Sequence, residues 1–288
     1  MFDLIANRYD MINRVLAVGM DMGWRLEMVK RIKSSVDTIE NPLLLDVATG
    51  TADVALLLAK EIPSATVLGL DPSNNMLEIG RGKILQRGQG AQVRLELADA
   101  MDFSKMKAST YDAATMAFGI RNVPDREKAL CQIHRVLKPN SRFCILEFSE
   151  PDESAGVMGA GARVFIRYVV PFLGGILSGA PREYWHLQNS IKDFPSPKEF
   201  GTLLEQVKCD ERSTEGAFRL DELVQLNFGS VQLYVTTSLP PTEETTPEET
   251  RPTEEIPPEE TSAEEATPTE EESSEETPPT EDTPPMEQ

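Results

Sequence analysis

Apolar residues in the first 150 positions fall in short runs that end on a polar residue, and helix-length stretches separate them. Leu43-Leu44-Leu45-Asp46-Val47 is continuous and short, which predicts a strand buried on both faces of a parallel sheet. Thr49 to Asp53 supplies a turn, and Val54 to Lys60 then reads as a helix. Thr66 to Leu70 is a second buried strand and ends in Asp71-Pro72-Ser73. Asn74 or Asn75 can cap the helix that follows, Met76 to Gln86. Val93 to Leu97 alternates and leads into Ala98-Asp99-Ala100. Tyr111 to Phe118 is a fourth strand, followed by Gly119-Ile120-Arg121-Asn122. A helix over Asp125 to Leu137 then turns through Lys138-Pro139-Asn140-Ser141 into a strand over Arg142 to Phe148.

Strands alternating with helices at this spacing predict an α/β fold with a doubly wound parallel sheet. Ligands in such sheets sit beyond the carboxyl ends of the strands. Asp46, Asp71, Asp99, Arg121 and Glu147 all fall at those ends. Each alone is an ordinary cap or turn residue. Together at one sheet edge they point to a site.

Residues 151–195 change character, with glycines interleaved among Val, Ile, Phe and Leu and Pro171 breaking the run. The pattern predicts helices over the ligand edge, either an apolar lid for a greasy substrate or ordinary packing helices. Pro197 to Val207 is a further amphipathic helix, and Phe228 to Thr236 closes the body as a late antiparallel strand.

Composition then divides the chain. Residues 241–288 carry 18 acidic residues and one basic one, Arg251, against 48 acidic and 28 basic residues overall. The tail therefore holds about −17 of the net charge of −20, and the body is close to neutral. With few large apolar side chains to offset chain entropy, residues 240–288 are expected to be a disordered acidic Pro/Thr/Glu-rich tail. Residues 1–239 suit one domain with a full core. No apolar run approaches the ~18 residues of a membrane-spanning helix, and nothing basic enough for nucleic acid stands out. Cys131, Cys144 and Cys209 lack metal-type spacing, which predicts inert thiols in a reducing compartment and no metal site.

The first turn narrows the ligand. A dinucleotide fold wants three glycines after the first strand, whereas Ala48-Thr49-Gly50-Thr51-Ala52-Asp53 has one. A pyrophosphate cannot approach such a backbone closely. A nucleoside without phosphates makes a different demand, a carboxylate for its ribose hydroxyls and acids near a cationic amino-acid end. Asp71 stands where a ribose-binding acid is expected. Asp46 and the Gly50 turn can face a methionine moiety, and Asp99 an adenine amine. This predicts S-adenosyl-L-methionine as cofactor.

Three further stretches carry a resemblance. They are Tyr9-Asp10-Met11-Ile12-Asn13 continuing through Gly19 to Trp24-Arg25, then Phe118-Gly119-Ile120-Arg121-Asn122-Val123, then Arg135-Val136-Leu137-Lys138-Pro139 continuing to Leu146-Glu147-Phe148-Ser149-Glu150-Pro151. Over about residues 1–237 the chain resembles the ubiquinone/menaquinone biosynthesis C-methyltransferases, which methylate a ring carbon of a polyprenyl quinol. The resemblance implies a Rossmann-like class I methyltransferase fold: a mostly parallel seven-stranded sheet, helices on both faces and a helical lid. It places cofactor contacts on Thr51, Asp71, Asp99 and Ala100, and at Ala117, where the family's usual Ser hydroxyl is lost. Thr49, Ala52 and Asn140-Ser141 replace glycines common in the family; Ala52 is tolerated if its φ is negative and otherwise weakens cofactor binding, and Asn140 suits a left-handed turn.

Methyl transfer to carbon requires an oriented, deprotonated quinol and a site that excludes water. By resemblance Arg121, beside Asn122, is the candidate to stabilise a phenolate or position a basic water, with a salt bridge to Asp125 or Glu147 as the competing reading. Tyr184 and His186 are candidates to line the substrate cavity, His186 as a base, and Tyr9, Asp10 and Asn13 to cover the cofactor. His134 falls on a helix away from the site. The acceptor expected is 2-methoxy-6-polyprenyl-1,4-benzoquinol. The alternatives are a naphthoquinol, another small molecule, or a non-catalytic cofactor-binding subunit. The family and the acidic tail also imply a multi-subunit quinone-biosynthesis complex and peripheral association with the matrix face of the mitochondrial inner membrane, although no leader is visible. Plastid or cytoplasm stays the alternative location, and homodimerisation stays open.

Overall fold

The computed structural model describes residues 19–149, 151, 161, 190–209 and 216–240. The chain divides into two compact units, Met1–Glu243 and Glu244–Gln288, and the description below concerns the first. The expected lid helices with Tyr184 and His186, the cover residues Tyr9, Asp10 and Asn13, and the acidic tail lie outside the described residues.

Helix α1 spans Asp21–Val36, followed by β1 Leu43–Val47, α2 Asp53–Glu61, β2 Thr66–Asp71, α3 Asn74–Arg87 and β3 Val93–Leu97. Then come β4 Tyr111–Ala117, a 3-10 turn Ile120–Asn122, α4 Arg126–Val136, β5 Leu137–Phe148, α5 Pro197–Gln206, β6 Phe218–Leu226 and β7 Val231–Ser238. One seven-stranded sheet runs in the order β3-β2-β1-β4-β5-β7-β6. Strands β1 to β5 are parallel, and β7 lies antiparallel between β5 and β6. The order reverses between β1 and β4, so their carboxyl ends flank the crevice where such sheets take ligands.

Alternation along each strand feeds two cores. Leu44, Val67, Leu146 and Leu233 face α1 to α3, where Met28, Leu56 and Leu58 meet them. Leu45, Phe143, Ile145 and Tyr234 face the other way, onto Leu130 and Ile133 of α4 and Phe200 and Leu204 of α5. Truncating any of these fully buried side chains to alanine costs on the order of 2–5 kcal/mol.

Local chemistry sets the helix starts. Ser73, not Asn74 or Asn75, caps α3 by accepting from the Met76 amide, because its extended backbone aims the hydroxyl back at that donor. Asp125 caps α4 from outside the helix. Ser196 and Glu199 form a reciprocal capping box on α5, with Pro197 in its first turn.

Four elements depart from the sequence reading. Asp21–Val36 is a helix that the apolar pattern did not mark, and Phe218–Leu226 is a strand. Phe228 does not begin the last strand: it sits in the β6–β7 turn at φ 56°, and β7 starts at Val231. Strand β5 begins at Leu137 and carries Pro139-Asn140-Ser141 as an irregularity opposite Tyr111–Ala113. There Asn140 takes the left-handed conformation expected of it, φ 62°.

The cysteines are also different from the expectation of inert, separate thiols. Cys131 on α4 and Cys209 after α5 form a disulfide, with Cα atoms 5.0 Å apart, inside the range a disulfide spans. Packing of α5 beside α4 brings together two residues 78 positions apart. Cys144 stays free and buried, and burial pushes its thiol up to about 12, so it is unreactive.

Candidate functional site

The carboxyl ends of β1, β2 and β4 surround a cavity of about 260 Å³. Gly50, Asp71, Asp99, Ala100, Ala117 and Asn122 all line it, and Leu70, Met76, Met101 and Met116 give it an apolar lining. Two carboxylates in a mostly apolar slot fit a ligand with a flat base and a hydroxylated sugar.

Asp71 is aimed by backbone donors. The Gly50 amide donates to Asp71 Oδ2 and the Ser73 amide to Asp71 Oδ1, each at 2.9 Å. Asp99 is more exposed and accepts from the Met101 amide at 2.9 Å. The turn that brings Gly50 here is left-handed three times, at Ala48 (φ 53°), Gly50 (φ 56°) and Ala52 (φ 67°). The positive φ at Ala52 is the costly alternative to the negative value that would suit an alanine. Its methyl group is fully buried against the α2 and α3 side of the sheet, which offsets part of that strain.

Close backbone approach shapes the rest of the crevice. A β-carbon on Gly69 would stand 2.8 Å from Thr49 Oγ1, and one on Gly119 would stand 2.6 Å from the Ala48 methyl group. The β1 and β4 loops therefore meet only because Gly119 has no side chain. Gly69 did not stand out in the sequence, and Gly119 did so only within a motif, since their neighbours come from strands far away along the chain.

Asp46 is not at the cavity wall. It lies opposite Thr115 in the β1–β4 register and accepts from Thr115 Oγ1 at 2.7 Å and Thr49 Oγ1 at 2.5 Å. The Ala55 amide in the first turn of α2 bonds it as well. Burial pushes its carboxyl up to about 6, against the opposing pull of those hydrogen bonds. Asp46 thus pins the turn that carries Gly50 and stands behind the ligand space. Thr51 is buried too, and its hydroxyl accepts from Lys83 Nζ at 2.8 Å, while that ammonium pairs with Asp53 at 2.7 Å.

Arg121 also stands behind the wall, although its neighbours Phe118, Gly119 and Asn122 form it. Its guanidinium pairs with Glu147 at 2.5 Å and lies over the Phe148 ring, 5.5 Å from the centroid. Of the two salt bridges weighed from sequence, the one to Glu147 forms, because Asp125 is occupied as the α4 cap. Trp24 from the N-terminal signature packs edge-on against Phe118 and Phe148, each at 6.4 Å between centroids, and Arg25 lies over Phe118 at 5.4 Å. His134 is remote: it donates from Nε2 to the Leu239 carbonyl at 2.9 Å.

Comparison with known proteins decides the class. Residues 1–213 match the model of the ubiE/COQ5 methyltransferase family. The chain belongs to that family. It is 40% identical over 204 residues to a demethylmenaquinone methyltransferase of Thermus thermophilus, covering 71% of this chain and 89% of that protein. It is 42% identical over 212 residues to the ubiquinone/menaquinone biosynthesis C-methyltransferase UbiE of Geobacter sulfurreducens, covering 72% and 78%. The fold is that of a chain in the Haloferax volcanii complex between the Trm112 methyltransferase activator and a methyltransferase, with TM-score 0.53 and 12% identity over 83% and 99% of the two chains. The protein is an S-adenosylmethionine-dependent methyltransferase of that family, with the Rossmann-like class I fold.

The residues present fit the cofactor. The paired donors on Asp71 fix a carboxylate at the cavity wall, where it would accept from ribose hydroxyls, and one glycine in the turn suffices where no phosphate must be approached.

Proposed function

We propose that this enzyme methylates a ring carbon of a polyprenyl quinol, with 2-methoxy-6-polyprenyl-1,4-benzoquinol as acceptor. The observation that carries the reading is the cavity at the β1–β4 crevice, where Asp71, Asp99 and Asn122 are the polar groups of an otherwise apolar lining. When bound there, S-adenosylmethionine supplies an electrophilic methyl group. Asp71 holds the ribose hydroxyls and Asp99 faces the adenine amine. Asn122 offers a neutral carboxamide at the β4 end, suited to hold an acceptor hydroxyl without quenching its charge. Phe118, Phe148 and Trp24 form an aromatic cluster beside that end, which keeps water from the reacting carbon.

The ubiquinone/menaquinone name of the Geobacter sulfurreducens relative covers the benzoquinol ring alongside the naphthoquinol. A naphthoquinol is the second reading, favoured by the demethylmenaquinone methyltransferase of Thermus thermophilus. The test supplies methyl-labelled S-adenosylmethionine with a short-chain methoxy-benzoquinol or a demethylmenaquinol. Label in the benzoquinol product is expected. Transfer to the naphthoquinol alone replaces the first reading with the second. Cofactor binding with transfer to neither ring overturns both.

A further inference from the structure

Arg121 and Glu147 are buried far more deeply than a substrate-contacting pair would be, with side chains 3% and 0% exposed. Their bonds run to the chain. Arg121 Nη1 donates to Glu147 Oε1 at 2.5 Å and also to the Phe118 carbonyl at 2.7 Å. Glu147 in turn accepts from the Arg121 backbone amide through Oε2 at 3.2 Å and from the Phe148 amide through Oε1 at 2.8 Å. One carboxylate at the end of β5 therefore grips both the backbone and the side chain of the 3-10 turn, and the guanidinium grips Phe118, two residues before it.

That residue is strained. Phe118 stands at φ 57°, a conformation bulky residues rarely adopt and that surrounding structure must enforce. Its amide donates to the Leu146 carbonyl at 2.7 Å. The turn is thus held from both ends by β5, and Phe118, Gly119, Asn122 and Val123 are presented to the cavity. Stability alone does not explain the pair. A buried ion pair is often replaced by apolar residues without loss, and here Arg121 Nε is buried with no partner among the described residues. An apolar pair, however, has nothing with which to hold the Phe118 carbonyl.

We propose that Arg121 and Glu147 are positioning residues whose ion pair clamps the Phe118-to-Asn122 turn in the shape that forms the methyl-donor cavity. The clamp rests on reading the cavity as the cofactor site and is independent of which quinol is methylated. It contrasts with a guanidinium that touches the acceptor itself.

The test compares Arg121→Met, Glu147→Gln, Glu147→Asp and the double variant Arg121→Met/Glu147→Leu. Thermal melting, calorimetric binding of S-adenosylhomocysteine and methyl transfer to a short-chain quinol are measured for each. Binding needs no quinol, so it reads the clamp even if the acceptor has been misassigned. Arg121→Met and Glu147→Gln are each expected to weaken binding about tenfold and to lower kcat by a similar factor. Glu147→Asp keeps the charge with a shorter reach and is expected to lose about threefold. The double variant removes both buried charges, so it should melt near the parent yet still bind weakly; it also serves if the single variants fold poorly. Parental affinity in the double variant overturns the proposal. So does loss of turnover confined to Arg121→Met with affinity intact, which assigns the guanidinium to the acceptor.

Discussion

The backbone amide of Gly50 donates to the Asp71 carboxylate at 2.9 Å, joining the β1 loop to the end of β2. The Ser73 amide holds the other oxygen, so the carboxylate is aimed before any ligand arrives. Asp71→Ala removes a charged acceptor worth about 1.5–3 kcal/mol, and affinity for S-adenosylhomocysteine should fall by about 10- to 100-fold. Asp71→Asn keeps one oxygen and should lose less. Calorimetric titration measures both; parental affinity in the alanine variant would place the ribose elsewhere.

Asp46 links pH to both stability and binding. Its carboxyl is raised from 3.8 to about 6 by burial, so between those values the folded state holds more protons than the unfolded state. Stability from this group therefore falls as pH rises from about 4 to about 6 and is level above, by on the order of 1–3 kcal/mol. A cationic cofactor favours the ionised form, so its affinity should rise across the same window. Asp46→Asn should flatten both profiles. Denaturant melts and titrations at pH 4.5 to 7.5 compare the two proteins, and equal slopes would mean that Asp46 does not titrate there.

Ala52 tests the strain in the turn. At φ 67° a glycine relieves about 1 kcal/mol of backbone strain but gives up a buried methyl group of similar worth. Ala52→Gly should therefore melt within a few degrees of the parent. Ala52→Val adds a branched side chain at a left-handed position and should cost about 2 kcal/mol or more, with weaker cofactor binding. A valine variant as stable as the parent would mean the turn takes another conformation in solution.

The Cys131–Cys209 disulfide closes a long loop, and such bridges contribute about 2–4 kcal/mol. Cys209→Ser should lower the melting temperature by several degrees in oxidising buffer and leave it unchanged relative to the parent in reductant. Scanning calorimetry with and without dithiothreitol, and thiol counting on the unfolded chain, check this. Two reactive thiols on Cys131 and Cys209 in oxidised protein would show that the pair is not bonded.

The central strands could be read from the chain because parallel strands are apolar on both faces. Leu43 to Val47 and Tyr111 to Ala117 announce themselves by that continuity. Phe218 to Leu226 did not, since as an edge strand it is only partly buried along its length and its charges break the alternation. At the site, Asp46 and Asp71 look alike in sequence, each an acid closing a strand. What separates them is register: Asp46 lies opposite Thr115 in mid-sheet, where two hydroxyls and a helix amide consume it. For the ion pair of Arg121 the sequence offers two acids, Asp125 and Glu147, and packing selects the second. The disulfide was not visible at all, because it depends on α4 and α5 packing side by side.

Cys131 and Cys209 also bracket β5 and α5. A peptide bond cut anywhere between them leaves two fragments that remain one covalent molecule until a reductant arrives. Such a nick would be silent on a non-reducing gel and in the molecule's mass, apart from one added water.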